Sequence, residues 1–262
     1  MIKIGALSFI NALPFFNPFI EKRIHFSGEF AYGTPVQVNK QLQDGSVDIG
    51  LVSSATFIQN REKYVLLTNL GIGATKCVKS VCLYSKYNIS ELSGKTVAIP
   101  DSSATSVMLL KVLCEHFWQV TPQFVEVHSD GNIDSLLATY DAALVIGDDC
   151  LLAKPKPSVK VYDLAEQWYS VTKKPFVFAV FATRIDAWMD WPDEVREFHQ
   201  KLVTAYDYST ANFSETVASA QAKTGLEKAE LEKYYNGLDY YLDTSHFQGL
   251  EQFAALNKKR VQ

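Results

Sequence analysis

Short apolar runs alternate with stretches of near-3.6 periodicity along this chain, and polar side chains collect where one pattern gives way to the other. Residues 2–5, Ile-Lys-Ile-Gly, read as a buried strand. Ser8 and Asn11 then break the apolar run ahead of a helix that carries Leu13, Phe15 and Phe16. At the carboxyl end of a strand in an open α/β sheet, such a junction is where ligands bind. Free N–H groups at the helix start face the crevice, and the helix dipole favours an anion there. Asn11 therefore has two readings side by side, a ligand group or a plain helix cap.

The same change of pattern repeats down the chain. Thr34, Pro35 and Gln37 mark a helix start, with Thr as N-cap, proline at the first helical position and glutamine placed for a capping box; Asp44-Gly45 closes the helix. Residues 47–52, VDIGLV, form a strand that delivers Ser53 and Ser54 to the next helix start. Strands follow at 64–67 and at 78–84, the second carrying Ser80, and after a turn at 90–95 another runs over 96–99. The hydroxyl-rich loop 101–106 feeds an apolar helix over 107–118, so Thr105 and Ser106 form a third polar group at a helix start. Further βα units occupy 123–127, 133–138 and 142–146 and end in Gly147-Asp148-Asp149, where Asp148 either faces the same edge or caps a helix. A short helix with Trp168 is expected over 163–170. Residues 175–183, PFVFAVFAT, are near-continuously apolar and long enough for a strand shared by two lobes. Beyond them the pattern is helical at 193–211, 214–223, 228–235 and 247–258, with an extended piece at 238–242.

This order predicts an α/β fold of two lobes joined by a hinge of two crossing strands, near 78–84 and 176–183. One lobe is expected to combine residues 1–84 and 180–262, and the other to be the inserted segment 85–179. Ser8, Asn11, Ser53, Ser54, Ser80, Thr105 and Ser106 are then expected to line the cleft.

Composition narrows the function. At 262 residues and 47% hydrophobic, the chain has material for a sizeable core. Its formal charge is −4, with no basic run beyond Lys258, Lys259 and Arg260, so nothing draws it to nucleic acid. Cys77, Cys82, Cys114 and Cys150 make no CxxC pair, which suits free thiols in a reducing compartment. No stretch approaches the ~20 apolar residues of a membrane span, and no export signal is read, so a cytoplasmic protein is expected. The five histidines are scattered, and no dinucleotide, P-loop or nucleophile-elbow motif occurs, so neither a metal nor a cofactor is expected. What recurs is small neutral polar groups at helix starts, which hold carboxylates by hydrogen bonds without a charge of their own. A small dicarboxylate is the expected ligand.

With these segments placed, the chain resembles the chorismate dehydratases of the futalosine route to menaquinone, a family with the type II periplasmic-binding-protein fold. SFINALPFF is similar to the family's N-terminal S-Y-L-N-x-L-P motif, VDIGLVSS to its acidic-apolar-Ser segment, and KSVCLYS to its S-V-x-L-x-S strand. The likeness continues through ELSGKTVAIPDSSATSVMLL, DAALVIGDDCLL, DLAEQW, PFVFAVFATR and LEKYYNGLDYYLDTSHFQGLEQF. Departures stand at Phe9, where Tyr is usual, Ala165 for Gly, Lys173-Lys174 for Gly-Leu, and Phe181 for Trp.

The resemblance implies cofactor-free conversion of chorismate to 3-[(1-carboxyvinyl)oxy]benzoate with loss of water. From the residues themselves, Asn11 and Ser80 are expected to be catalytic, with Ser8, Ser53, Ser54, Thr105, Ser106 and Asp148 binding substrate. The proton acceptor is read as the substrate's own side-chain carboxylate or a bound water. Two other readings stay open: the sister enzyme 1,4-dihydroxy-6-naphthoate synthase, whose expected S-P-C-P-N-D motif differs from SFINALP, and a non-catalytic cytoplasmic carboxylate-binding protein.

Overall fold

The structure, a computed structural model, describes residues 1–128 and 131–258; the basic pair Lys259 and Arg260 lies outside them. In chain order its strands are β1 (Lys3–Leu7), β2 (Glu29–Gly33), β3 (Ile49–Ser53), β4 (Tyr64–Ala74), β5 (Val81–Ser85), β6 (Thr96–Pro100), β7 (Gln123–Val127), β8 (Ala142–Ile146), β9 (Lys160–Asp163), β10 (Phe176–Arg184) and β11 (Asp239–Tyr241). Between them lie the helices α1 (Leu13–Ile20), α2 (Pro35–Asp44), α3 (Ser54–Gln59), α4 (Ala104–Val112), α5 (Ile133–Thr139), α6 (Gly147–Leu152) and α7 (Leu164–Thr172). After β10 come α8 (Ile185–Asp190), α9 (Pro192–Ala211), α10 (Phe213–Thr224), α11 (Lys228–Tyr235) and α12 (Thr244–Lys258).

Two sheets result, a six-stranded one in the order β11-β4-β10-β3-β1-β2 and a five-stranded one in the order β7-β6-β8-β5-β9. In the first, β1 runs parallel to β2 and β3, while β10 is antiparallel to β3. In the second, β6 runs parallel to β7 and β8, and β5 is antiparallel to β8 and β9. The chain divides into two compact units. The first comprises Met1–Ile72, Ala179–Asn236 and Tyr240–Leu242; the second comprises Gly73–Phe178, Gly237–Asp239 and the stretch from Asp243 onward.

This division differs from the expected lobes in two places. The chain changes unit inside β4, not at the strand carrying Tyr84, and β5 lies wholly in the second unit. β4 is eleven residues long, but Asn69, Gly71 and Gly73 interrupt its apolar pattern, so only its first four residues read as a strand. Gly71 is there for close approach: a Cβ would stand 2.6 Å from both the Ala179 carbonyl oxygen and Leu242 Cδ1. The second difference lies toward the carboxyl end, where Gly237–Asp239 and α12 fall in the second unit; Phe253 of α12 turns into that unit's aromatic core, edge-on to Trp168 and Phe176 at 6.0 and 4.9 Å.

Each unit has its own core. In the first, α1 buries Phe15, Phe16 and Phe19, with Phe15 edge-on to Phe181 at 5.0 Å and Phe19 stacked on Phe198 of α9 at 6.2 Å. Phe181, which replaces a frequent Trp, is thus a core ring with no exposure. In the second, Cys82, Tyr84, Ile133, Leu136, Leu137, Val145 and Cys150 cluster between sheet and helices, and all four cysteines are free thiols. The helix expected over 107–118 is α4 continued by a π-helical stretch, Leu113–Trp118. Lys173, where the resemblance expects glycine, ends α7 in the left-handed region at φ 57°, the conformation that makes glycine usual there.

The start of α12 is fixed by a charge cluster. His246 is 5% exposed and meets Asp243 through Nδ1 at 2.8 Å and Asp239 through Nε2 at 3.1 Å, while Thr75 Oγ1 donates to Asp239 at 2.6 Å. The Asp243 amide also points at Nδ1, 3.2 Å away, which suits a neutral ring; two carboxylates on the two ring nitrogens decide for the cation. Burial opposes charge on the imidazole, but Asp239 and Asp243 outweigh it and raise its pKa. Burial also opposes charge on Asp239, yet hydrogen bonds from His246 and Thr75 hold its carboxyl low; Asp243 is held low by Ser245 and then His246.

A raised imidazole pKa stabilises the fold below its unfolded value near 6.5, and that contribution is lost as pH rises through the folded value. The depressed carboxylates contribute above their unfolded value near 3.9 and lose it as pH falls through the folded one. The cluster therefore contributes most between about pH 4 and 6.5. The melting-temperature difference between wild type and His246→Gln is expected to shrink between pH 5.5 and 8.5. A pH-independent difference would show that the imidazole is not charged in the folded protein.

Candidate functional site

In the first unit, β1, β2 and β3 end on one edge because they run parallel. Ile4 stands opposite Ile49 and Gly5 opposite Gly50, and this register, carried forward, sets Ser8 beside Ser53. Adjacent strands lie about 4.8 Å apart, so Ser8, Asn11, Ser53 and Ser54 share that edge. Ser8 is exposed, and its Oγ donates to the Gly33 carbonyl at 3.3 Å. Ser53 is the N-cap of α3: its Oγ accepts from the Thr56 amide at 3.2 Å and from Asn39 Nδ2 at 3.2 Å, and donates to Thr56 Oγ1 at 3.0 Å. A hydroxyl has one proton and two lone pairs, so Ser53 is fully engaged and contributes a fixed helix start instead of a free hydroxyl. Ser54 follows it, fully buried.

Asn11 lies in a 3₁₀ turn, Ile10–Ala12, between β1 and α1. The capping reading of Asn11 does not hold. The residue flanking the turn is Phe9, the one flanking α1 is Ala12, and neither helix start receives a side-chain cap. Asn11 Oδ1 is buried and has no hydrogen-bond partner. Leaving such an atom unpaired costs about 1–3 kcal/mol, a cost that a purely structural residue would shed.

In the second unit, β6 and β8 end on one edge, and antiparallel β5 begins there, since Val81 stands opposite Ile146. That edge gathers Ser80, Thr105, Ser106 and Asp148. Ser80 is 3% exposed and precedes β5, and its carbonyl accepts the Gly147 amide at 2.7 Å. Thr105 and Ser106 are buried in the first turn of α4 behind Ser103, the N-cap, whose Oγ accepts from the Ser106 amide at 3.4 Å and donates to Ser106 Oγ at 2.9 Å. Asp148, half-buried in the first turn of α6, does not cap it; Ile146 occupies that position.

Sequence reading missed the groups that hold these residues. Asn39 grips Ser53 from α2, accepting its amide at 3.0 Å besides donating to its hydroxyl. Asp163, 6% exposed, ties the start of α7 to the bend just ahead of Ser80. Its Oδ1 caps α7, accepting from the amides of Ala165 at 3.0 Å and Glu166 at 3.1 Å. Its Oδ2 accepts from the Lys79 amide at 2.6 Å and from Cys77 Sγ at 2.9 Å. Lys79 is in the left-handed region, φ 61°, so this carboxylate holds the bend that presents Ser80. Burial and then Asp163 push the Cys77 thiol up to about 12, so it remains a donor. The only sequence signal for this role was an aspartate ahead of an apolar helix, which reads as a cap alone.

Asp163→Ala removes the α7 cap and takes the carboxylate acceptor from a part-buried Lys79 amide. Together these are expected to cost about 3 kcal/mol of stability, measurable by urea unfolding. Asp163→Asn keeps the cap acceptor and is expected to lose about half of that. Equal losses in the two variants would mean that the cap does not contribute.

Comparison with known proteins places the chain. The family model described as menaquinone biosynthesis matches residues 2–259. A chorismate dehydratase of Thermus thermophilus is 28% identical over 239 residues, which are 85% of this chain and 84% of that protein. A protein of Archaeoglobus fulgidus known by its crystal structure superposes with a TM-score of 0.80 at 18% identity, covering 99% of this chain and 97% of the other. The periplasmic aliphatic sulphonate binding protein of Escherichia coli superposes at 0.69 with 14% identity, covering 99% and 87%. At these identities the two structures speak for the fold alone, an α/β fold of the type II periplasmic-binding-protein kind. Among the described residues no helix is long and apolar enough to cross a membrane, and no group of three or more His, Cys, Asp or Glu side chains is placed to hold a metal ion.

Proposed function

The chain belongs to the menaquinone-biosynthesis family, and on that premise we propose that it is a chorismate dehydratase, releasing water from chorismate to form 3-[(1-carboxyvinyl)oxy]benzoate. What carries this reading is the likeness to the bacterial chorismate dehydratase, which runs along most of the chain instead of resting on one motif. The reading is supported by small neutral polar groups at helix starts in each unit, a chemistry that suits carboxylates.

The reaction needs little else from the protein. Breaking the C3–H bond sends an electron pair through the C1=C2 bond onto the ring carboxylate. Its return aromatises the ring and expels hydroxide from C4, which with the proton leaves as water. Charge builds on the ring carboxylate, so donors fixed around it lower the barrier most. Asn11 and Ser80 are assigned that role, Asn11 through Nδ2, its amide donor, while its unpaired Oδ1, which can only accept, is left for a substrate hydroxyl. Ser8, Ser54, Thr105, Ser106 and Asp148 are assigned to binding, and Ser53 acts through the α3 start that it caps. The substrate's side-chain carboxylate or a water takes the proton.

Incubating the purified chain with chorismate tests the proposal. Aromatic proton signals of the benzoate product are expected to grow as those of the cyclohexadiene ring decay, with or without EDTA. Binding of chorismate without conversion would favour a non-catalytic carboxylate-binding protein, the role of the periplasmic neighbour for its sulphonates.

A further inference from the structure

We infer that Tyr235 and Tyr240 are positioning residues for Asn11, an inference that rests on the function proposed above. The phenol of Tyr235, at the end of α11, donates to the Ile10 carbonyl at 2.8 Å; that of Tyr240, in β11, donates to the Asn11 carbonyl at 2.8 Å. Two consecutive carbonyls of the three-residue turn that carries Asn11 are thus held by side chains from one segment more than two hundred residues away. The Ile10 carbonyl also accepts the Leu13 amide, and a carbonyl has two lone pairs, so the phenol adds to the turn's own bond without competing.

Both rings are immobilised. Tyr240 is 6% exposed and packs against Phe15 at 5.2 Å and Tyr206 at 5.3 Å; Tyr235 is 4% exposed and packs against Phe213 at 5.8 Å. Burial raises the Tyr240 phenol well above its ordinary range, so it stays a donor at any working pH. Fixing the Asn11 carbonyl fixes the peptide plane and the direction of the Cα–Cβ bond. The amide is then aimed before substrate arrives, which is where preorganised donors gain their effect. These hydroxyls give Tyr235 and Tyr240 of the YYNGLDYY stretch a role that phenylalanines of the same shape would not fill.

The test uses Tyr235→Phe, Tyr240→Phe and the double variant, each in the wild-type chain and in Asn11→Ala. In the wild-type chain each substitution is expected to lower kcat on chorismate by about tenfold, with KM within about twofold and the melting temperature nearly unchanged. In the Asn11→Ala background the same substitutions are expected to change kcat by less than about twofold, because their effect passes through the missing amide. Equal losses in both backgrounds would overturn the inference. A second readout needs no turnover: the side-chain amide signal of Asn11 in a ¹⁵N–¹H spectrum, identified by its absence in Asn11→Ala, is expected to shift or broaden in the phenylalanine variants. An unmoved signal overturns the positioning role. A wild-type chain that fails to convert chorismate overturns the proposed function and leaves the spectrum to decide the positioning alone.

Discussion

Asn11→Asp is expected to lower kcat on chorismate by about a hundredfold to a thousandfold, the loss that follows removal of a donor acting mainly in the transition state, about 2.7–4 kcal/mol. The substitution keeps the shape of the side chain but replaces the amide donor with a carboxylate facing an anionic substrate. Since Asn11 caps neither the turn nor α1, helix stability has no stake in the amide. Circular dichroism is therefore expected to stay close to wild type, with the melting temperature lowered by the charge placed at a buried position. Asn11→Ala is expected to lose kcat similarly, without the added repulsion and with KM less affected. Turnover of Asn11→Asp near the wild-type rate would remove Asn11 from the chemistry and leave its unpaired oxygen without a function.

Trp168→Ala is expected to cost about 3–5 kcal/mol of stability, the range for emptying a large aromatic site in a packed core. The indole has no exposure, and Phe117, Phe176 and Phe253 meet it edge-on at 6.2, 5.5 and 6.0 Å. Its Nε1 donates to the Pro175 carbonyl at 3.3 Å, so the truncation also strips a buried acceptor. Trp168→Phe retains most of the ring contacts and is expected to lose about half as much. Because α7 is anchored by Trp168 and capped by Asp163, loosening it is expected to reach Ser80 through the Lys79 bend. Denaturant unfolding with a constant m-value, together with kcat at a temperature where both variants remain folded, measures the two effects separately. A loss below about 1 kcal/mol for Trp168→Ala would show that the second unit's core does not depend on this ring.

Local chemistry in the sequence determined much of this protein. The capping box of Thr34 and Gln37, the glycine stop at Gly45, the β3 run ending at Ser53, and the helix over Lys228–Tyr235 follow from propensity, capping and periodicity, which act within a few residues. The alternation of strands and helices sufficed for the α/β class, and the parallel edges that follow from it located the two groups of polar residues. The order of motifs along the chain pointed to the family.

Tertiary structure decided what depends on distant partners. β4 was half hidden because Gly71 answers to Ala179 and Leu242 across the sheet and not to its own neighbours in sequence. β9 and the placing of α12 with the second unit rest on pairing with β5 and on Phe253 packing, which periodicity does not encode. Whether Asn11 caps a helix or holds an unpaired amide oxygen turns on the neighbouring Phe9 and Ala12 taking the flanking positions. The roles of Asn39, Asp163, Tyr235 and Tyr240 arise from hydrogen bonds that span 14, 84, 225 and 229 residues, separations at which no local pattern carries a signal.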